Sequence, residues 1–356
     1  MVKVLIITPS LARGGMERQL SYYLNKYNKS LIDIDLAVLK DNFEYDIPKH
    51  INVINLRYKR RNLGFYFRLL KLLSDKKYDV INSKVSGVNE LVMLFCGVLI
   101  KPNLIVEIRS SGKRLYKLYP RMSLLLRILP YKWKIICNNS RAFDEVKSFS
   151  PSKNEVILIK NGIDLNSFPM SDFKRERMIS IGFLGRVIPI KNIETILKAL
   201  GILKREGISF QFSIKGSPKV DIKYVQFLKD LCIDLDINAQ VKWIEPSDDV
   251  YSYYKDITIF ILASRAEGSP NVLLESILTG CITFCSKDAD TESILPANFV
   301  FETNDYQELA DKIKIYLKYT INKVEDFRQR NRKKIESEYN VSRMVKEYDQ
   351  FYRKIS

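Results

Sequence analysis

Apolar runs and polar gaps alternate along this 356-residue chain in a spacing that predicts strands separated by helices. Val2–Thr8 is an apolar run interrupted only by Lys3 and ending on Thr8, the pattern of a parallel strand buried on both faces. Comparable runs follow at Ile32–Leu39, Val53–Leu56, Val80–Ser83, Leu104–Ile108, Ile135–Asn138 and Val156–Ile159. In the second half they recur at Ile179–Leu184, Phe210–Ile214, Val241–Trp243, Ile257–Leu262, Ile282–Cys285 and Phe299–Phe301. Helical patterns lie between them, at Met16–Tyr27, Ile193–Glu206, Val220–Asp234, Asp249–Tyr254, Val272–Leu278 and Gln307–Tyr319. Such alternation predicts βαβ units and an α/β fold of doubly wound sheets.

The length suits two Rossmann-like domains, 1–165 and 166–340, joined at the turn-rich stretch Asn161–Lys174. The charged, helix-forming tail Val324–Ile355 ends in a helix, within 341–356, expected to pack back across both domains. Two such domains facing each other leave a cleft into which both sets of strand C-termini point, and open α/β sheets bind ligands at those ends. The site is therefore expected between the domains.

Composition removes several chemistries. A single histidine, His50 in the polar connection Pro48-Lys-His-Ile-Asn, argues against a His-based zinc site and against Ser-His-Asp or Cys-His catalysis. The five cysteines have no metal-ligand spacing, and four sit in apolar stretches as small core residues. The longest apolar run, Leu91–Ile100, is far short of the roughly 20 residues of a membrane span. The opening segment lacks a signal-peptide cleavage region, so a cytoplasmic location is expected.

Three motifs carry candidate chemistry. Glu267-Gly-Ser-Pro-Asn-Val-Leu-Leu-Glu275 follows a buried strand and opens a helix. Pro270 suits the first turn and Ser269 is placed to cap it, so the amides from Gly268 through Asn271 to Val272 favour an anion. Its two carboxylates, Glu267 on the loop and Glu275 in the helix, can reach two places on one extended polar ligand, as a hexose and a ribose joined by a diphosphate would present. The bland alternative is a capped surface helix with two solvated glutamates. Gly185-Arg186-Val-Ile-Pro-Ile-Lys191 pairs a planar fork of donors with a compact point charge, a combination suited to a diphosphate. Ala12-Arg-Gly14-Gly15-Met-Glu-Arg18 follows the first strand, where two glycines permit close backbone approach to a ligand or simply a tight turn. It lacks the third glycine of the dinucleotide fingerprint, which argues against a nicotinamide dehydrogenase.

Together these motifs, with Asn161-Gly-Ile-Asp164 at the domain junction, resemble retaining glycosyltransferases of family 4, of the bacterial surface-polysaccharide type, which have the GT-B fold. The resemblance spans nearly the whole chain. It implies a nucleotide-sugar donor, expected to be a UDP-sugar, with Arg186 and Lys191 on its diphosphate, Glu267 on the sugar hydroxyls and Glu275 on the ribose. It implies that Gly15, beside Gly14, approaches the donor phosphates or the acceptor. It implies no cofactor and no metal, because cationic side chains supply the positive charge; Asp288-Ala-Asp290 is read as a surface loop. Two departures stand out. Arg109 occupies the place where many members have a histidine, and either contacts substrate or forms a salt bridge with Glu107 or another acid. Trp243-Ile-Glu245 stands where relatives often have a glycine, which leaves UDP against GDP open.

Charge adds a partner. Residues 1–165 hold 29 Lys and Arg against 14 Asp and Glu, whereas 166–356 hold 29 against 27. Two basic, partly apolar segments, 57–73 and 113–127, can lie against the anionic inner face of a membrane; the family resemblance implies that a polyprenyl-diphosphate-linked glycan acceptor is met there. No nucleic-acid reader motif is present, and nucleic acid is not expected. A sugar-nucleotide epimerase or a non-catalytic scaffold of the same fold are the alternative readings.

Overall fold

The computed structural model describes residues 1–12, 14–58, 63–74, 77–84, 103–109, 124, 132–150, 152–172, 178–290 and 293–356. They form two compact units, Met1–Gly162 with Tyr339–Ser356, and Ile163–Glu338.

The first unit is built on a seven-stranded sheet: β1 (Val2–Thr8), β2 (Ile32–Val38), β3 (Asn52–Asn55), β4 (Val80–Ser83), β5 (Asn103–Ile108), β6 (Lys134–Cys137) and β7 (Glu155–Leu158). The order is β3-β2-β1-β4-β5-β6-β7 and every pairing is parallel. Side chains alternate across a strand, so a strand covered on both faces must be apolar at nearly every position. In β1, Val4 and Ile6 pack with Leu20 and Leu24 of α1 (Gly15–Lys26), while Leu5 and Ile7 join Phe65, Leu69 and Leu73 of α2 (Leu63–Ser74). That second face also holds Trp133 and, from α3 (Ser140–Phe149), Ala142 and Val146. Each such aliphatic residue contributes roughly 1.5–3 kcal/mol on burial.

The second unit repeats the scheme with six parallel strands: β8 (Ile179–Leu184), β9 (Phe210–Lys215), β10 (Val241–Ile244), β11 (Ile259–Leu262), β12 (Ile282–Ser286) and β13 (Val300–Phe301). Their order is β10-β9-β8-β11-β12-β13. The helices are α4 (Ile193–Arg205), α5 (Ile222–Asp234), α6 (Tyr251–Tyr254), α7 (Asn271–Thr279), α8 (Tyr306–Leu317) and α9 (Ile321–Glu338). From Leu273 to Thr279, α7 is buried on every side. It stops at Gly280, whose φ of +92° is a left-handed C-cap and whose carbonyl accepts from buried Arg328 at 2.6 Å.

The tail is two helices rather than one. After α9 the chain breaks at Tyr339–Asn340, where Asn340 caps α10 (Val341–Ile355) by accepting from the Arg343 amide at 2.7 Å. Val341, Met344, Val345, Tyr348, Phe351, Tyr352 and Ile355 form the buried stripe, and they complete the α1 face of the first unit's core. Close approach requires Gly162, because a Cβ there would lie 2.8 Å from the Val341 Cα. The same peptide is held by Gln19 of α1, which accepts from the Gly162 amide at 2.7 Å and donates to its carbonyl at 2.8 Å. Asp288-Ala-Asp290 departs from a surface loop: Asp288 is exposed, but Asp290 is buried and accepts from the Ile294 amide at 2.8 Å.

Gln19→Ala strips both partners from a buried peptide, at a cost of about 1–3 kcal/mol for each group left unpaired. Equilibrium urea unfolding should show a lower midpoint for the first unit. An unchanged midpoint would mean that solvent satisfies Gly162 equally well.

Candidate active site

Each sheet reverses strand order at one place, between β1 and β4 in the first unit and between β8 and β11 in the second. Connections leaving two such strands diverge to opposite faces, and a crevice opens outside their C-terminal ends. The sequence motifs fall there. Gly185–Lys191 follows β8, Glu267–Asn271 follows β11, and Gly14–Gly15 follows β1.

In the second unit the two loops meet through charge. The Lys191 ammonium lies 2.5 Å from a Glu267 carboxylate oxygen, with the side chains only 16% and 14% exposed. Sequence-distant loops hold this pair because they are tied together behind it. Asn192, left-handed at φ 56°, donates its side-chain amide to the Ala263 carbonyl at 3.0 Å. The Arg265 amide donates to the Ile190 carbonyl at 2.8 Å. The β8 loop is also pressed against the β9 loop: a Cβ on Gly216 would fall within the Gly185 carbonyl, so only glycine fits at 216. Below, the Tyr253 hydroxyl meets the Phe183 and Ser213 carbonyls at 3.0 and 2.9 Å.

Arg186 is exposed, and its guanidinium has no partner among the described residues. Helix α7 begins at Asn271 with Pro270 in the capping position, which forms no side-chain cap. The Ser269 cap expected from the sequence is therefore displaced by one residue; Gly268, Ser269, Asn271 and Val272 line the loop into the helix and are half-buried. Glu275 is 1% exposed and accepts from the Tyr254 hydroxyl at 3.0 Å, so it lies deeper than Glu267, one turn into the helix. The structure thus pairs Lys191 with Glu267, places Arg186 in the same β8 loop, and sets Glu275 deeper.

The first unit gathers a second charged group at the ends of β4 and β5. Glu107 lies on β5 between Lys84, which donates to it directly, and Arg109, whose guanidinium donates at 3.0 Å. Asn82 and Tyr348 also donate to the same carboxylate, at 2.9 and 3.0 Å, and Arg109 donates onward to Asn161 at 3.0 Å. Of the two possibilities for Arg109, the salt bridge with Glu107 is present. Burial alone would raise the Glu107 pKa, but Lys84 and Arg109 outweigh it and pull the carboxyl down to about 2. Burial pushes the Lys84 ammonium down to about 8, only partly offset by Glu107. Lys84 was not singled out from the sequence; the signal was a lysine directly after the buried strand Val80–Ser83.

The remaining candidates separate cleanly. Gly14 precedes the first turn of α1 in extended backbone and Gly15 opens the helix, while Arg13 lies outside the described residues. His50 is exposed, with its ring nitrogen 3.0 Å from the Tyr27 hydroxyl. Burial raises the thiols of Cys137 and Cys281 to about 12, so neither offers a thiolate near neutral pH. Among the described residues no cluster of His, Cys, Asp and Glu could hold a metal, and no helix is long and apolar enough to cross a membrane. In the basic segment 57–73, Phe65, Leu69 and Leu73 are core while Phe67 is 70% exposed; 113–127 lies outside the described residues except Leu124.

Known proteins resemble this chain in sequence and in fold. Residues 170–334 match the family model described as glycosyl transferases group 1. The chain is 24% identical over 323 residues to the capsular polysaccharide biosynthesis glycosyltransferase CapH of Staphylococcus aureus, covering 88% of each. It is 25% identical over 293 residues, 78% of this chain and 77% of the relative, to a Campylobacter jejuni α-1,4-N-acetyl-D-galactosaminyltransferase named for a diNAcBac-PP-undecaprenol-linked substrate. Anabaena HepE, solved in complex with UDP and glucose, superposes with a TM-score of 0.80 at 14% identity, covering 99% of both chains. The fold is GT-B.

Glu107→Gln tests the buried group. Because the folded-state pKa is depressed, the carboxylate's stabilisation is fully present above about pH 4.5 and is lost as pH falls towards 2. The variant should be less stable by about 3–5 kcal/mol at pH 7, since Lys84 and Arg109 lose their anion. It should also lack that part of the acid-induced loss, as read from urea midpoints across pH. A variant matching wild type at pH 7 would contradict the pairing.

Proposed function

We propose that this chain, whose residues 170–334 match the group 1 glycosyl transferases, moves a sugar from a nucleotide-sugar donor to a lipid-linked glycan in bacterial surface-polysaccharide assembly. The observation that carries the donor half is the Lys191–Glu267 pair at the β8–β11 crevice, with Arg186 beside it in the same loop. A nucleoside diphosphate linked to a sugar presents two anionic phosphates and a ring of hydroxyls. Arg186 and Lys191, with the amides at the start of α7, take the phosphates; Glu267, released from Lys191, accepts from sugar hydroxyls; Glu275 serves the ribose. UDP is the favoured nucleotide, supported by the HepE complex.

Transfer requires the bond between the anomeric carbon and the diphosphate oxygen to break while the acceptor oxygen bonds that carbon. Negative charge grows on the departing diphosphate, where fixed cations lower the barrier most. The same diphosphate accepts the proton of the acceptor hydroxyl on the face it leaves, so the configuration is retained and no protein base or metal is needed. The acceptor reading draws on the undecaprenol-linked substrate for which the Campylobacter relative is named. Docking on the inner face of a membrane draws on the positive excess of residues 1–165 and on exposed Phe67 beside Lys71 in α2, each cation contributing about 1 kcal/mol near an anionic surface.

Two measurements check this. Thermal unfolding with UDP, GDP and ADP should show stabilisation by one of them, about 2.7 kcal/mol at a hundredfold excess over Kd, and a much smaller one in Lys191→Ala. No shift with any nucleotide would favour the non-catalytic scaffold. With a donor identified, Lys191→Ala should lower kcat by roughly 100- to 1,000-fold; a variant affecting KM alone would place Lys191 outside the charge-stabilising role.

A further inference from the structure

Arg265 lies two residues before Glu267, in the loop after β11, and bonds to three other segments of the second unit. Its backbone amide donates to the Ile190 carbonyl at 2.8 Å. Its guanidinium donates to the Pro189 carbonyl at 2.6 Å, to Glu194 at 2.8 Å and to the Asn304 side chain at 3.0 Å. Three separate segments therefore converge on one side chain: the turn carrying Lys191, the start of α4, and the left-handed turn at Asn304 before α8. Glu194 is itself fixed, since the Tyr224 hydroxyl donates to it while accepting from the Ile193 amide.

The energetics separate positioning from stability. The Arg265 side chain is 38% exposed, and an ion pair so placed contributes little to folding, about 0–1 kcal/mol. Its geometric effect is larger. The planar fork reaches a carbonyl, a carboxylate and an amide oxygen from three separate nitrogens, a spread that the single nitrogen of a lysine does not match. The two atoms that meet at 2.5 Å, on Lys191 and Glu267, belong to loops otherwise joined by the Asn192 side chain and the Arg265 amide.

We propose that Arg265 is a positioning residue of the nucleotide-sugar site, which sets the Lys191 turn against the Glu267 loop without touching the ligand. The proposal rests on the reading that Lys191 and Glu267 bind the donor. Its consequence is that Arg265 acts on donor affinity through Lys191.

The test uses the full chain as Arg265→Met and Arg265→Lys, each alone and combined with Lys191→Ala, and titrates UDP and GDP by calorimetry. Arg265→Met should weaken nucleotide binding about tenfold or more, because small misplacements of a binding group are costly. Arg265→Lys should restore little, the melting temperature should stay within a few degrees of wild type, and Arg265→Met should add nothing in the Lys191→Ala background. Hydrogen exchange of segment 188–192 in the ligand-free chain should quicken in Arg265→Met. Wild-type affinity in Arg265→Met would overturn the proposal, as would a loss that multiplies with that of Lys191→Ala, which would mean an independent route. If wild type binds neither nucleotide, the donor reading fails, and the exchange rates alone decide whether Arg265 holds the turn.

Discussion

A parallel sheet covered on both faces has little room for polar side chains along its strands. This constraint governs both units of the chain. β1, β11 and β12 are apolar almost throughout, and the polar groups that function requires are displaced to the strand ends, where the loops begin. Reversal of strand order between β1 and β4, and between β8 and β11, then selects which loop ends diverge. The Lys191–Glu267 pair lies at those ends in the second unit, and the Glu107 group lies at the ends of the neighbouring β4 and β5 in the first.

The two clusters are built differently. Lys191 and Glu267 are partly exposed and, among the described residues, their charged ends pair only with one another, so a ligand that offers phosphates to the lysine and hydroxyls to the glutamate can replace the pair without leaving either charge unmatched. Glu107 is saturated: Lys84, Arg109, Asn82 and Tyr348 converge on it, and it stays ionised because its two cations outweigh the cost of burial. One cluster is suited to exchange partners with a ligand; the other holds Arg109 in a set direction. Helix α10 contributes to the second through Tyr348, and Tyr352 accepts from Asn82, which makes the chain's last helix part of the first unit's charged group.

Much of this was legible in sequence for physical reasons. Apolar runs such as Val2–Thr8 have no other stable use in a chain of this type, and the glycine, arginine, lysine and glutamate motifs fall directly after such runs. Local pattern could not supply pairings set by register. Lys84 meets Glu107 because Ser83 pairs with Val106, and the Tyr348 hydroxyl comes from a helix 241 residues further along. Arg265 reads as one more cation until the β8 and β11 loops are seen together. Asp290, written as half of an acidic surface motif, is drawn inward by the Ile294 and Leu295 amides, a demand made by the backbone rather than by the motif.

The central claim is that the C-terminal ends of β8 and β11 hold the diphosphate of a nucleotide-sugar. Its most direct test is a crystal structure of the chain grown with UDP. The account predicts phosphate oxygens within hydrogen-bonding distance of Arg186 and Lys191, the Lys191–Glu267 contact opened, and the ribose against Glu275. A nucleotide bound elsewhere, with Lys191 still paired to Glu267, would contradict it.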